Sequence, residues 1–259
     1  MVQLQHGFAE YSERFVDQYS RLVPRLLESG IEVWAMDLLG HGRSPGRRGV
    51  VDVRRAVEDH VTVRRDMLAR SLPLLAIGHS LGGLVTAGSI TADETGVSGT
   101  VLLAPALPPH LPTPARALLG LATRLLPAAP APLPAAPSAE LTRRPDVVRQ
   151  AQQDALMAHV RLPLLVATSS LDVAAAVWSG ASRWQAPCLI AHGTADTSTD
   201  PRASPRLAGL LTAPGSSYLP VQGGRHELLH DDDAEMVFGH VRAFVGRHLG
   251  LGPSRMRRL

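Results

Sequence analysis

One serine in the sequence has the neighbours that a nucleophile requires. Ser80 lies in Gly78-His79-Ser80-Leu81-Gly82, which matches the pattern G-x-S-x-G. In this pattern the serine occupies a tight turn from a strand into a helix, where flanking side chains would clash, so glycine is required on both sides. An apolar run precedes the motif and another follows it, as such a turn demands. The sequence therefore predicts a nucleophile at Ser80, in preference to a serine that merely caps a helix.

Two later residues supply the groups that activate a serine. A hydroxyl is a poor nucleophile unless an adjacent base takes its proton and a third group orients that base. Asp196 and His226 each follow a predicted strand. Because parallel strands end at one edge of a sheet, we predict that Ser80, Asp196 and His226 meet there as a catalytic set. Asp200 and the run 231–233 are competing carboxylates, which we interpret as helix starts.

A serine nucleophile that attacks a carbonyl also needs two backbone N–H donors for the oxyanion. The N–H of Leu81, the residue after the nucleophile, is the first candidate. The second is expected from the early loop His6-Gly7-Phe8, which follows a short predicted strand. We predict the Phe8 N–H as this donor, with Gly7 as the alternative.

A second pattern overlaps the histidine of the predicted set. The run 226–230 reads H-E-x-x-H, which on a helix would present two histidines to zinc. Two glycines precede the run and an acidic stretch follows it, so only a single helical turn is predicted there, and the spacing selects no third ligand. A zinc site would also leave Ser80 and Asp196 unexplained. We therefore predict neither a metal nor a cofactor.

Apolar patterning divides most of the chain into alternating strands and helices. Strands are predicted at 31–36, 74–78, 99–104, 187–191 and 217–221, and helices at 11–29, 52–68, 81–91 and 233–249. Pro24 indicates that the first of these helices is kinked or begins late. The alternation predicts an α/β fold with a mostly parallel central sheet flanked by helices.

The alternation is interrupted by a proline-rich segment. Eleven of the 21 prolines lie between Pro105 and Pro145, where neither a central strand nor a helix interior accommodates them. Helical patterning then returns up to residue 178. We predict a core formed by 1–104 and 182–259, with a helical cap inserted at 105–181.

Composition excludes several classes of protein. All 26 basic residues are Arg, 23 residues are acidic, and the net charge is +3 with no basic cluster, so nucleic acid is not an expected partner. The single cysteine, Cys188, excludes an internal disulfide. No apolar stretch of 18 residues lacks charges, and the first residues do not resemble a signal peptide. A cytoplasmic location is the expectation, and the oligomeric state stays open.

The motifs together resemble a known family. The matching segments are His6-Gly7-Phe8-Ala9-Glu10 with Arg14-Phe15, similar to HGxxEH…RY; 37–44, similar to DxxGHGxS; 78–83, which matches GHSxGG; 138–159, similar to a cap segment; and 192–196, similar to HGxxD. From about residue 3 to residue 248, the chain resembles the monoacylglycerol lipase and lysophospholipase-like family of the α/β-hydrolase superfamily.

The resemblance implies a cofactor-free serine ester hydrolase that acts on single-chain lipids or other small esters under a mobile cap. Ser80 would be the nucleophile, His226 the general base and then acid, and Asp196 the residue that orients it. Phe8 and Leu81 would donate to the oxyanion. The cap would make transient contact with a membrane surface.

Some features depart from the family pattern and leave the substrate open. Tyr11 stands where the family has histidine, and 154–156 reads Asp-Ala-Leu in place of Asp-Pro and an apolar residue. Thioester cleavage, carbon–carbon hydrolysis, perhydrolysis and a non-catalytic role remain alternatives. The resemblance also implies a strand pair ahead of the strand that leads into His6. Because only five residues precede His6, we expect either that the true start lies upstream of Met1 or that the sheet lacks this pair and leaves an edge exposed.

Overall fold

Six parallel strands form one sheet in the computed structural model, which describes residues 1–133 and 138–252. The strands are β1 (Val2–Gln5), β2 (Val33–Met36), β3 (Leu74–His79), β4 (Val97–Leu103), β5 (Cys188–Gly193) and β6 (Ser217–Val221), in the order β2-β1-β3-β4-β5-β6. The second strand along the chain, β2, therefore lies on one side of β1, and β3 to β6 follow one another on the other side. In such sheets, the carboxyl ends of the two strands at the reversal frame the functional site.

Helices cover both faces of this sheet. They are α1 (Arg14–Asp17), α2 (Leu22–Glu28), α3 (Val53–Leu68), α4 (Leu81–Ala92), α5 (Thr113–Leu125), α6 (Pro145–Gln153), α7 (Leu164–Gly180), α8 (Ala203–Ala208) and α9 (Ala234–His248). Short 3-10 turns lie at Tyr19–Arg21, Ser138–Glu140, Ala181–Arg183 and Leu228–His230. The predicted α/β fold is confirmed, with β1, β3 and β5 fully buried and the edge strands β2 and β6 mostly half-buried or exposed.

Alternate strand residues supply two separate cores. Ala76 and Leu102 point to one face, where they pack with α3, α4, α7 and α8. Leu75 and Val101 point to the other face, where they pack with α1, α2 and α9. This division follows from the two-residue repeat of a strand, and it explains why β3 and β4 are apolar at consecutive positions.

The segment 11–29 forms two helices in place of one, which agrees with the kink or late start predicted from Pro24. The helix stops at Asp17, and Tyr19, Ser20 and Arg21 have φ angles of 47°, 54° and 53°. A helix cannot continue through residues in the left-handed region. It restarts at Leu22, so Pro24 lies in the first turn of α2, where a missing N–H costs nothing.

The predicted cap contains two kinds of structure. Helix α5 has no buried residue, whereas α7 packs against α3 and α4 and supplies Val166, Val173 and Val177 to their core. The structure thus places α7 with the core layer, although the division at 105–181 stays a prediction. Residues 134–137 of the predicted cap and 253–259 of the predicted core lie outside the described residues.

One stretch in the described part of the chain, Leu164–Arg183, is long and apolar enough to cross a membrane by length and composition. It comprises α7 and the turn after it, includes Asp172, and has half of its apolar window buried inside the protein. Its packing against α3 and α4 is that of a core helix.

Gly82 allows α4 to begin directly against β1. A Cβ atom there would collide with the carbonyl oxygens of Gln5 and His6, which are backbone atoms that cannot move aside. We expect Gly82→Ala to lower the free energy of unfolding, measured by urea denaturation, by about 3 kcal/mol.

Gly120→Ala in α5 is the matched control, since a Cβ atom at Gly120 meets nothing within 4 Å. This variant should gain up to about 1 kcal/mol from helix propensity. A Gly82→Ala protein as stable as wild type would contradict the close approach of α4 to β1.

Candidate active site

Ser80 occupies the turn between β3 and α4, as predicted. Its φ and ψ angles are 54° and −120°, a conformation that side-chain-bearing residues rarely adopt. The turn is held by the Ser80 N–H, which donates to the Leu103 carbonyl at 2.9 Å, and by the Ala106 N–H, which donates to the Ser80 carbonyl at 2.9 Å. A Cβ atom at Gly78 would collide with Gly82, so the flanking glycines let the strand and the helix approach closely.

The three predicted site residues lie in hydrogen-bond contact. His226 Nε2 is 2.8 Å from Ser80 Oγ, and His226 Nδ1 is 2.7 Å from Asp196 Oδ2. All three side chains are buried. Asp196 comes from the loop after β5 and His226 from the loop after β6, so the carboxyl ends of parallel strands bring together residues up to 146 positions apart.

Asp196 receives more hydrogen bonds than the one from His226. Its Oδ1 accepts from the backbone N–H groups of Ser198 and Thr199 at 2.7 and 3.1 Å. Its Oδ2 accepts from the Thr199 hydroxyl at 2.7 Å and from His192 Nε2 at 3.0 Å. Although burial alone would raise it, the pKa of Asp196 is held well below its usual range by His226, His192 and Thr199. The carboxylate therefore stays ionised and can only accept.

The ionised carboxylate determines the state of His226. Because Asp196 only accepts, Nδ1 carries the proton and Nε2 presents a lone pair to the Ser80 hydroxyl. Burial lowers the pKa of His226, but attraction to Asp196 more than offsets it and leaves the pKa above the ordinary 6.5. His226 can therefore act as a base toward Ser80 and, once protonated, is stabilised by Asp196.

The loop after β1 lies against Ser80, and its hydrogen bonds distinguish Phe8 from Gly7 as candidates for the second oxyanion donor. The Gly7 N–H donates to Glu10 Oε1 at 2.6 Å, so the alternative donor Gly7 is already engaged. A Cβ atom at Gly7 would lie 2.9 Å from Ser80 Cβ, which shows how closely this backbone approaches the nucleophile. Leu81 is the first residue of α4, where N–H groups lack a partner within the helix. Phe8 and Leu81 stay the predicted donors.

A buried ion network behind the site was not predicted. The Arg14 guanidinium donates to Glu10 at 2.9 Å and to both carboxylate oxygens of Glu227 at 3.2 and 3.3 Å. Glu10 also accepts from His79 Nδ1 at 2.7 Å. Burial alone would raise the pKa of Glu10, but His79 and Arg14 lower it to about 2. The network thus connects the loop after β1 with the residues beside Ser80 and His226.

The second histidine of the H-E-x-x-H run has a different role from the first. His230 Nε2 accepts from the Tyr19 N–H at 2.5 Å, and the two rings stack with centroids 3.9 Å apart. His230 Nδ1 lies 2.9 Å from Glu227, while His226 faces Ser80. Within 1–133 and 138–252, no group of three His, Cys, Asp or Glu side chains is arranged to hold a metal ion.

Sequence reasoning missed Glu10, Arg14, Glu227 and Thr199 as parts of the site. Glu10 and Arg14 belonged to the motif that carried the family resemblance, and Glu227 follows His226 directly. Membership of that motif and adjacency to His226 were the features of the sequence that could have identified these three residues. Arg14 and Glu227 are 213 residues apart, and no spacing in the sequence indicates that they pair.

The fold and the Ser80–His226–Asp196 contacts together define a hydrolase of the α/β-hydrolase superfamily. A family model described as Serine aminopeptidase, S33 matches residues 1–233, and the chain belongs to that family.

The chain is also similar to known lipases along nearly its whole length. A monoacylglycerol lipase of Mycolicibacterium smegmatis is 29% identical over 96% of this chain and 89% of its own length. The monoglyceride lipase of Rattus norvegicus is 26% identical over 98% and 85%. A crystal structure of Paleococcus ferrophilus monoacylglycerol lipase superposes with a TM-score of 0.82, at 30% identity over 96% of this chain and 93% of that one. These relatives confirm the predicted superfamily, fold and enzyme class, a carboxylic ester hydrolase.

The raised pKa of His226 predicts how the reactivity of Ser80 depends on pH. Only neutral His226 can take the serine proton, so the rate of Ser80 labelling by a fluorophosphonate should fall about tenfold per pH unit below that pKa. We expect a midpoint above 6.5 in wild-type protein. Asp196→Asn should move the midpoint down and lower the plateau by about 10⁴-fold. A midpoint below 6.5 in wild type would contradict the pairing of His226 with Asp196.

The buried network predicts a large difference between two arginines. Arg14→Met leaves Glu10 and Glu227 buried without a cation, and we expect a loss of about 3–5 kcal/mol in urea denaturation. Arg25→Met breaks a pair with Glu235 that is partly open to solvent, with the two side chains 30% and 71% exposed, and should cost about 1 kcal/mol or less. Equal losses in the two variants would refute a special role for Arg14.

Proposed function

We propose that the protein hydrolyses the ester bond of monoacylglycerols and related single-chain lipid esters through an acyl-enzyme on Ser80. The observation that carries this proposal is the buried contact chain from Ser80 Oγ through His226 to Asp196, with distances of 2.8 and 2.7 Å.

The geometry supports a two-step reaction. Ser80 Oγ attacks the ester carbonyl while its proton passes to His226 Nε2, and the carbonyl oxygen becomes an oxyanion held by the Phe8 and Leu81 N–H groups. Protonated His226 then gives its proton to the departing glycerol oxygen, and the acyl group stays on Ser80. Water attacks this ester with His226 again as base, which releases the fatty acid and restores the hydroxyl.

Two features support a lipid substrate. The relatives described above are named for the hydrolysis of monoacylglycerols. In the predicted cap, Leu118, Leu121 and Leu125 of α5 are 71%, 56% and 72% exposed. An amphipathic helix with leucines on its outer face suits transient contact with the membrane surface that supplies such substrates.

The description of the matching family favours one alternative, the removal of an amino-terminal residue from a peptide. The same nucleophile could also cleave thioesters or carbon–carbon bonds, or transfer its acyl group to hydrogen peroxide in perhydrolysis. A substrate panel separates these reactions, because the acyl and leaving groups differ while the nucleophile is shared.

The test compares wild type, Ser80→Ala and Ser179→Ala on monoacylglycerols of varied chain length, short aryl esters, acyl thioesters and aminoacyl anilides. Ser179 is the matched control because its hydroxyl, within the described residues, donates only to the Ala175 carbonyl of its own helix. We expect monoacylglycerols to be the best substrates and Ser80→Ala to lose about 10⁶-fold in kcat, with Ser179→Ala unchanged. Preference for aminoacyl anilides, or turnover that survives Ser80→Ala, would overturn the proposal.

A further inference from the structure

We propose that Tyr11 is a positioning residue for the oxyanion hole. It ties residues 154–160, here called the latch segment, to the loop after β1 and thereby holds Phe8 in place. This inference rests on the proposed function, because it assigns the geometry of that same site.

The primary tie is a side-chain hydrogen bond between distant parts of the chain. The Tyr11 hydroxyl donates to Asp154 Oδ2 at 2.6 Å, across 143 residues. Asp154 Oδ1 accepts from the Leu156 N–H at 2.8 Å, so the same carboxylate shapes the first turn of the latch segment. Burial and Asp154 raise the pKa of Tyr11 to about 12, which keeps the phenol protonated as the donor.

A second tie lies next to the predicted donor itself. The Ala158 N–H of the latch segment donates to the Ala9 carbonyl at 2.8 Å. Ala9 has a φ of 66°, in the left-handed region that disfavours alanine, so this backbone needs an external partner to keep its conformation. On the other side, Glu10 fixes the Gly7 N–H at 2.6 Å. Phe8 thus lies between a bond within its own loop, from Gly7 to Glu10, and a bond from the latch segment to Ala9.

Side-chain packing brings the latch segment to Phe8 as well. A Cβ atom placed on Gly49 would lie 3.7 Å from both Phe8 Cζ and Ala158 Cβ, and it would collide with Val160. Arg48 next to it donates to the Leu156 carbonyl. The latch segment therefore contacts the loop after β1 and the turn that precedes α3.

The chemistry of position 11 supports a role beyond packing. Tyr11 is only half-buried, so its phenol fills no part of the core and its bond to Asp154 is its distinctive contribution. Oxyanion donors act mainly in the transition state, where removal of one costs about 10²–10³-fold in kcat. A donor that is displaced, not removed, should cost less, about 10-fold to 100-fold.

The experiment measures kcat and KM on the best ester for wild type, Tyr11→Phe and Tyr218→Phe. Tyr218 on β6 is the matched control, a half-buried tyrosine like Tyr11, whose ring packs against the core cluster formed with α3, α4, α7 and α8. We expect Tyr11→Phe to lower kcat and kcat/KM equally, by about 10-fold to 100-fold, with KM and the thermal midpoint unchanged. Tyr218→Phe should match wild type in both kinetic constants.

A double-mutant cycle identifies the partner. If Tyr11 acts through Asp154, the loss of kcat in Tyr11→Phe combined with Asp154→Ala should not exceed the loss in Asp154→Ala alone. Additive losses, a wild-type kcat in Tyr11→Phe, or a loss confined to KM would each overturn the inference.

A failure of the proposed function would give other results than a failure of this inference. In that case wild-type protein would turn over no ester, or Ser80→Ala would keep its activity. The rate of Ser80 labelling by a fluorophosphonate would then test the latch, because the phosphoryl oxygen is directed to the same N–H donors. Equal labelling of wild type and Tyr11→Phe overturns the inference, and absence of labelling overturns both proposals.

Discussion

The Arg14 guanidinium is the group on which the arrangement of the site depends. It lies almost wholly buried between Glu10 and Glu227 and lowers the pKa of both carboxyls, together with His79 at Glu10 and His230 at Glu227. Glu10 directs the Gly7 N–H and His79, which are neighbours of Phe8 and Ser80, and Glu227 is adjacent to His226. Arg14 therefore joins the loop after β1 to the loop after β6, and Glu10 extends this connection to His79 at the end of β3. The free energy lost when this charge is buried is offset only when Glu10 and Glu227 are both in position to pair with it.

The sheet makes such an arrangement stable. Ser80, Ala9 and Tyr19 all have positive φ angles, and each such residue costs free energy that a short segment could not recover. Each lies in a connection next to a strand or helix with a continuous apolar face. Burial of those apolar faces stabilises the protein, and this offsets the cost of the unfavourable backbone conformations in the connections that form the site.

Sequence reasoning succeeded where local pattern decides the structure. Ser80 was recognisable because an elbow requires glycines and an apolar strand and helix on either side, and Asp196 and His226 because both follow strands. It failed where contacts between distant residues decide. Pro24 indicated a kink or a late start within 11–29, but the left-handed turn at Tyr19 could not be predicted, because none of its three residues is glycine and the partners that stabilise it come from the C-terminal quarter. Likewise, the sequence left Gly7 and Phe8 as alternative donors, and only the bond from Gly7 to Glu10 separates them.

The turn at Tyr19 also affects the order in which the chain can fold during synthesis. Three consecutive left-handed residues cost about 1–2 kcal/mol each, and the Tyr19 N–H and the Ser20 hydroxyl bond to His230 and to the Leu229 carbonyl, more than 200 residues later. A nascent chain that lacks this stretch has no partner for the turn, so α1 and α2 are expected to sample other conformations. The face of the sheet that they cover is completed only when the last quarter of the protein has left the ribosome. These early residues are in this sense among the last to reach their final structure.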